Sequence, residues 1–361
     1  MMNEIRQSPD WVRTSTAAAM TMGMVPGRFL NGAKLHCLNL LLTYGEGCSA
    51  RCAYCGLSGS RDSETPWAEN SFIRVEWPTV AVDEVVDKIR DGDCPGVERV
   101  CVSMVTNRRA VRDTLTVVAR ISPVMESISA LITPTIIDRG WLVELKEAGA
   151  DMVGIAVDAA TEELFDETRG RGVQGPHRWD RYWETVSEAV EVFGEMNAGV
   201  HLIVGIGETE KEIIETIQRV HDMGAFTHLF SFFPEEGSLM QDRPQPPIKQ
   251  YRRVQLARYL IDHGSDDARE MAFSPDGTLT GYGLQGPALD EIISRGDPFM
   301  TSGCHGENLE NACNRPFGNC TPLQAYMGEM RNFPYTPRVE DIRIVREQMG
   351  RPMGLASPED S

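Results

Sequence analysis

The chain has no long apolar run. None approaches the roughly 18 residues that a membrane-spanning helix needs, so a membrane protein is not expected. Positive charge is scarce as well: 35 Lys and Arg stand against 53 Asp and Glu, for a net charge of −18. That excludes the basic footprint through which proteins hold nucleic acid, and it argues against an anionic membrane surface. The N-terminal stretch carries Glu4 and Asp10 and lacks the apolar core of a secretion signal. No Gly-Lys-Ser/Thr follows the turn Gly205-Ile206-Gly207, so it is not a Walker phosphate loop. Nine cysteines without a secretion signal point to a reducing, cytoplasmic compartment, where thiols serve metals rather than disulfides.

Three of those thiols organise the rest. Cys48, Cys52 and Cys55 stand at C-x3-C-x2-C with Tyr54 before the last. They follow the apolar run Leu38–Tyr44, which reads as a buried strand. Three thiolates on one tight loop suit three irons of a [4Fe–4S] cluster and leave the fourth iron open to a reacting ligand. A structural zinc site wants four closed ligands, and no further Cys or His lies within twenty residues after Cys55. The spacing resembles the radical S-adenosylmethionine (SAM) superfamily. That resemblance implies SAM on the open iron, and hydrogen abstraction from unactivated carbon by a 5′-deoxyadenosyl radical.

Strand and helix patterns then alternate. Strand candidates lie near 38–44, 97–105, 127–133, 151–157, 200–205 and 226–233, with two short ones at 271–274 and 299–302. Helical runs separate them, and a further short helix is expected over 11–22. Eight βα units predict an α/β fold, a (βα)8 TIM-type barrel, with an open six-stranded partial barrel as the rival. The expected organisation is an N-terminal cap at 1–37, the barrel at 38–302 and a cysteine-bearing C-terminal tail at 303–361.

Active sites of such barrels lie at the C-terminal strand ends. Tyr54 and the cysteine loop fall there, after the first long strand. Asp158 ends the fourth, where a carboxylate suits ribose hydroxyls or an N-cap. Arg169 follows, suited to a carboxylate clamp. Gly205 opens a turn that lets backbone approach a ligand. Ser231 ends the sixth strand, whose edge suits adenine. These pieces, in order from Cys48 to Pro234, resemble biotin synthase. That resemblance implies ribose contact for Asp158 and SAM carboxylate contact for Arg169, and it likens Cys101 to a ligand of that family's second cluster.

The tail carries Cys304, Cys313 and Cys320 within 17 residues. They are candidate ligands of a second, auxiliary iron–sulfur cluster, with zinc as the bland alternative. Cys304, at the end of the last strand candidate, is expected on the same barrel face as the first cluster. Cys37 and Cys101 are rivals for Cys320. At about 3.3 Å per residue, Cys37 lies roughly 20 Å from the top of its strand and meets Cys304 only if the tail folds underneath.

Six segments together resemble the subunits of two-component lipoyl synthase: STAAAM (15–20), PGRF (26–29), AKLHCLNLLLTY (33–44), VCVSMVTN (100–107), TRGRGVQGPHRW (168–179) and the TSGC and CNRPFGN tail. That family implies a sulfurtransferase acting at C6 or C8 of an octanoyl-lysine on a lipoyl carrier protein. It also implies a sister radical SAM subunit and an electron donor such as ferredoxin or flavodoxin. The alternatives are another biotin synthase-like radical SAM enzyme, whose auxiliary cluster binds substrate or relays electrons, and a non-catalytic zinc scaffold.

Overall fold

The computed structural model describes residues 6–61, 72–73, 75–306, 311–316 and 318–350. One sheet dominates. Its strands are β1 (Trp11–Thr14), β2 (Cys37–Leu42), β3 (Thr79–Ala81), β4 (Arg99–Ser103), β5 (Ile128–Ile132), β6 (Met152–Asp158), β7 (Ala198–Val204) and β8 (Phe226–Ser231). The order is β3-β1-β2-β4-β5-β6-β7-β8. From β2 through β4 to β8 every pairing is parallel, while β1 pairs antiparallel with both β2 and β3. The six parallel strands are buried almost throughout, as strands covered on both faces must be. Helices Val82–Arg90, Ala110–Ile121, Arg139–Glu147, Trp179–Phe193, Glu210–Asp222 and Ile248–Asp262 cover the outer face, at the positions their apolar spacing predicts.

The sheet does not close, so the six-stranded rival, not the closed eight-stranded barrel, describes the parallel core. The expected seventh strand is a two-residue piece, Ala272–Phe273, paired only with Leu279–Gly281 in a separate hairpin. The expected eighth is replaced by a 3-10 turn at Asp297–Phe299 and a single bridge from Met300 to Phe333. Both runs are too short to fill a barrel stave, and Pro298 removes a ladder donor. The expected helix over 11–22 also splits. Val12 and Thr14 are β-branched and pair as β1, and only Thr16–Thr21 is helical, with the Ser15 hydroxyl accepting from the Ala18 amide at 3.1 Å.

The C-terminal tail covers what the sheet leaves open. The amide of Leu229, on the edge strand β8, donates to the Ser302 hydroxyl at 2.8 Å, and the Leu229 carbonyl accepts from Tyr251 at 3.2 Å. The buried guanidinium of Arg252 binds the carbonyls of Arg331 and Met330 and lies over Phe299 and Phe333. At the other side Asn314 donates to the Lys34 and Pro334 carbonyls and accepts from the His36 amide at 3.0 Å. The tail is thereby pinned to the start of β2, beneath the sheet.

Candidate functional site

The inward faces of β2 and β4–β8 line a cavity of about 320 Å³. Its upper wall holds Cys48, Cys52, Tyr54 and Cys55 with Asp158 and Arg169; deeper lie Cys101, His201, His228, Cys304, Cys313 and Arg315.

The cysteine loop is fixed by backbone bonds. Ser49 donates its amide to the Thr106 carbonyl at 2.8 Å, and Ala53 donates to Thr168 at 2.7 Å. Two amides point at sulfur: Thr106 at Cys48 Sγ and Leu57 at Cys55 Sγ, both at 3.4 Å. Gly59 runs against the loop, where a Cβ would lie 2.9 Å from the Cys48 carbonyl oxygen, so only glycine fits. Burial pushes the Cys52 thiol up to about 12, opposed by the nearby Arg169 charge, and pushes Cys55 well above its ordinary value. Such thiols bind metal by giving up protons that burial makes costly to lose.

Tyr54, Asp158 and Arg169 meet as the strand-end expectation requires. The Tyr54 hydroxyl donates to Asp158 Oδ2 at 2.5 Å, and Arg169 Nη1 reaches the same oxygen at 2.6 Å. Asp158 sits at φ 66°, a left-handed backbone that few non-glycine residues adopt outside constrained sites. Arg169 also donates to the Ala156 and Val157 carbonyls and to the Tyr182 hydroxyl. Behind it the His177 imidazole contacts Tyr182 at 3.0 Å and Thr135 at 2.6 Å. Burial lowers the His177 pKa to about 2, so it is neutral. Among the described residues the Arg169 Nε is buried and without a partner. The clamp reading therefore narrows to Nε and the second Nη2 hydrogen, since Nη1 holds Asp158 and backbone carbonyls and Nη2 also holds Tyr182.

Gly205 does not reach the cavity. Its amide donates to Glu208 Oε1 at 2.6 Å, and the same carboxylate takes the Ile206 and Gly207 amides, each at 3.0 Å. A Cβ on Gly205 would strike Pro246 at 2.6 Å. The turn is an internally satisfied bend packed on the loop after β8. Ser231 does line the cavity, but its hydroxyl accepts from Arg331 Nη1 at 3.0 Å.

The second set of thiols differs from the expectation. Cys304 and Cys313 do come together: the Cys304 carbonyl accepts the amides of Ala312 and Cys313, both at 3.0 Å. Their companions are Cys37 and Cys101. The Cys37 and Cys313 thiols share a hydrogen bond, and Cys101 and Cys304 act on both electrostatically. The fold of the tail under the sheet brings Cys37 in. It also puts Cys304 at the far end of the cavity, not on the face of the first thiols. Cys101 lies within β4, whereas Thr106, whose amide reaches Cys48 Sγ, lies in the loop beyond its C-terminal end, so the two sets stand at different levels of the cavity. Cys320 lies elsewhere, on the wall of a second cavity with Pro316 and Pro322 and within reach of Arg252 and Arg331.

Charge around the second set is cationic. Arg315 is buried, and its Nε has no partner among the described residues. Arg99 holds Asp151 bidentately, at 2.6 and 2.7 Å, while facing Cys304 and Cys37. The hydrogen bond from Cys37 brings Cys313 down to about 7, with Arg315 and Arg99 assisting against burial. Among the described residues no three Cys, His, Asp or Glu side chains converge on one point that could hold a single ion. Size reconciles this with the thiol contacts, because ligands of a multi-iron cluster each reach a different iron and need not converge.

Two imidazoles complete the lower wall. His201 and His228 are ring neighbours at 4.8 Å. Glycines on adjacent strands make room for them: a Cβ on Gly154 would lie 3.3 Å from His201, and one on Gly199 would lie 2.7 Å from His228. Burial lowers His201 to about 4 and His228 further. Neither His201 nor His228 lies in a motif, whereas His177 and Arg315 fall within the segments TRGRGVQGPHRW and CNRPFGN without a role that their sequence context announces. Alternation along β7 and β8 was the available signal, since it faces His201, Ile203, His228 and Phe230 inward.

Residues 42–220 match the family model described as the Radical SAM superfamily. Three solved structures align with parts of the chain. HydG, a maturase of the [FeFe]-hydrogenase, aligns with TM-score 0.49 and 12% identity over 68% of this chain and 53% of its own. Methylornithine synthase (PylB) gives 0.46 and 13%, over 76% of this chain and 81% of its own. The radical S-adenosylmethionine methyltransferase TsrM from Kitasatospora setae gives 0.40 and 14%, over 88% of this chain and 60% of its own. The chain spans about half the length of the first of these. No curated protein matches it.

Proposed function

The chain carries a Radical SAM superfamily domain over residues 42–220, and from that premise we propose that it is a sulfurtransferase. Its substrate is an octanoyl chain on a lysine of a lipoyl carrier protein, and sulfur enters at C6, C8 or both. One observation carries this: a single cavity holds three thiols at one end and three of a second set of four at the other.

The residues present suit the groups this activity needs. Cys48, Cys52 and Cys55 would hold a [4Fe–4S] cluster with SAM at the fourth iron, and two amides already donate to these sulfurs. The buried, unpartnered Arg169 Nε is a donor in want of an acceptor, which the SAM carboxylate would supply. The second set would hold an auxiliary cluster, with Arg315 and Arg99 offsetting its negative charge. When bound, the first cluster with SAM supplies a radical that takes a hydrogen atom from C6 or C8, and the second supplies the sulfide to which that carbon bonds, its irons accepting the electron released.

The chain's own task is positioning and exclusion of water. Leu41, Met104, Ile132, Ile203 and Phe232 line the space between the two ends, an apolar wall suited to an alkyl chain and protective of a carbon radical. A carrier protein, a sister radical SAM subunit and a ferredoxin or flavodoxin donor complete the proposal. The test is anaerobic incubation with SAM, reductant and an octanoyl-lysine peptide, read by mass spectrometry and by protein-bound sulfide. Thiolated peptide with matching sulfide loss is expected. 5′-Deoxyadenosine formed with intact sulfide and unthiolated peptide would refute it and favour a relay or substrate-binding role for the second site.

A further inference from the structure

We propose that Cys37, Cys101, Cys304 and Cys313 are together the four protein ligands of the second iron–sulfur cluster, that Cys320 is not one of them, and that this cluster has no open iron. It rests on the reading above only for the presence of iron at this end of the cavity.

Two ligands come from the sheet. Cys37, Asn39 and Leu41 share one face of β2 by the two-residue alternation of strands, and Asn39 and Leu41 line the cavity. Cys37 therefore faces inward one step below them. On β4, Cys101 stands in register with Asn39 and also lines the cavity. The other two come from the tail. The Cys304 carbonyl gathers the Ala312 and Cys313 amides, which sets Cys313 beside Cys304. A Cβ on Gly303 would lie 2.6 Å from the Cys313 carbonyl oxygen, so this approach closes only because that residue is glycine. Asn314, next to Cys313, is locked to Lys34 and His36, next to Cys37. Two hydrogen bonds of Asn314 thus set the tail thiol of Cys313 against the strand thiol of Cys37, and Ser129 lies between Cys101 and Cys304.

Four thiolates saturate a [4Fe–4S] cluster, as in centres that keep all four irons covered. SAM and substrate then have no iron to bind at this end. Chemistry here must use a sulfide of the cluster rather than a vacant coordination site. Arg315, with its buried Nε free, stands where it can donate to a cluster sulfur.

The experiment uses the full chain in a Cys48→Ala/Cys52→Ala/Cys55→Ala background, which isolates the second site. Iron, zinc and sulfide are measured after anaerobic reconstitution, with EPR of the reduced protein before and after SAM. About four irons are expected, with an EPR signal that SAM leaves unmoved. Adding Cys37→Ser, Cys101→Ser, Cys304→Ser or Cys313→Ser should remove or strongly alter that signal. Adding Cys320→Ser should leave it intact. The same substitutions in the otherwise unaltered chain control for folding, because each should retain the iron of the first site. Iron loss in Cys320→Ser, a full and unaltered cluster in Cys37→Ser or Cys101→Ser, a SAM-induced EPR shift, or zinc in place of iron would each overturn the assignment. An intact second cluster in a protein that leaves the octanoyl peptide unthiolated would defeat the function and keep the ligand set.

Discussion

The Arg169–Asp158 pair offers a sharp test of how the upper site is built. Arg169→Met leaves the Asp158 carboxylate buried with the Tyr54 hydroxyl as its donor. It also removes the donor from the Ala156 and Val157 carbonyls. The two side chains are 5% and 12% exposed, so solvent screens them little. Two unit charges about 4 Å apart at an effective dielectric near 20 attract by about 4 kcal/mol. Truncating one partner of a buried pair typically costs about 3–5 kcal/mol, much of it the penalty on the charge left behind. Arg169→Met is expected to lose about 3–4 kcal/mol in urea unfolding of the apo protein under reductant, with the denaturant slope unchanged. Asp158→Asn should lose less, because Arg169 keeps its carbonyls and Tyr182. The double variant should recover about 2 kcal/mol relative to the sum of the two. Losses that add to within about 0.5 kcal/mol would refute the coupling and leave Arg169 an independent hydrogen-bonding residue. Arg169→Lys separates charge from shape: it restores a cation but not the Nε donor. SAM affinity, read by equilibrium binding to the reconstituted protein, should stay at least tenfold down while stability partly returns.

Three further outcomes follow from the same geometry. His177 has its pKa lowered to about 2 by burial, so the folded form refuses a proton that the unfolded chain accepts below about 6.5; the stability this brings is full above that value and lost as pH falls toward 2, and His177→Gln should flatten the pH 6.5–4.5 slope of apo unfolding by about 1 kcal/mol per unit, parallel slopes being the refuting result. Gly205→Ala places a Cβ 2.6 Å from Pro246 at a backbone φ of +104°, so a loss of about 2–3 kcal/mol is expected in denaturant melts, and an unchanged midpoint would show that the loop after β8 yields. Arg252→Met strands the Met330 carbonyl and takes one donor each from the Arg331 carbonyl and the Gln255 and Gln348 side-chain oxygens; limited proteolysis should then cut the 330–350 region well before the parallel core, and equal cutting rates would refute the staple.

The repeating core was legible because period-2 and period-3.6 patterns are local. Six buried runs and the helices between them could be read one at a time, and the cysteine loop announced itself by spacing alone. Barrel closure was not legible in this way. Whether 271–274 and 299–302 join a sheet depends on their reaching its edge, and Ser302 instead reaches Leu229 through its hydroxyl. The helix expected at 11–22 failed for a similar reason, since β1 forms by pairing with β2 and β3, which are 23 residues or more away in the chain. In sequence, a flexible turn such as that at Gly205 looks the same whether its amides face a cofactor or, as here, the carboxylate of Glu208 three residues on. Cys37 stands a strand's length below the first thiols, so whether it meets Cys304 turns on the tail folding underneath, a long-range choice that no local pattern encodes; Asn314 ties the tail below.

That tie joins two jobs that are usually separate. An open sheet cannot by itself keep water from its inner face, so something must seal the side between its edge strands, β8 and β3. The tail residues that do so, Thr301 and Ser302 among them, are continuous with those that bring Cys304 and, further on, Cys313 and Arg315 to the cavity wall. Sealing and metal loading at the lower end are then one equilibrium, because metal bound to tail and strand thiols at once stabilises only the docked tail. Removing iron with a chelator should therefore raise the proteolytic sensitivity of the tail without touching helices such as Ala110–Ile121. The effect should persist in the Cys48→Ala/Cys52→Ala/Cys55→Ala background, where the second site alone holds metal. Equal protection of the tail with and without iron in that background would mean that the hydrogen bonds of Asn314 and Arg252 suffice, and that the lower thiols contribute nothing to closure.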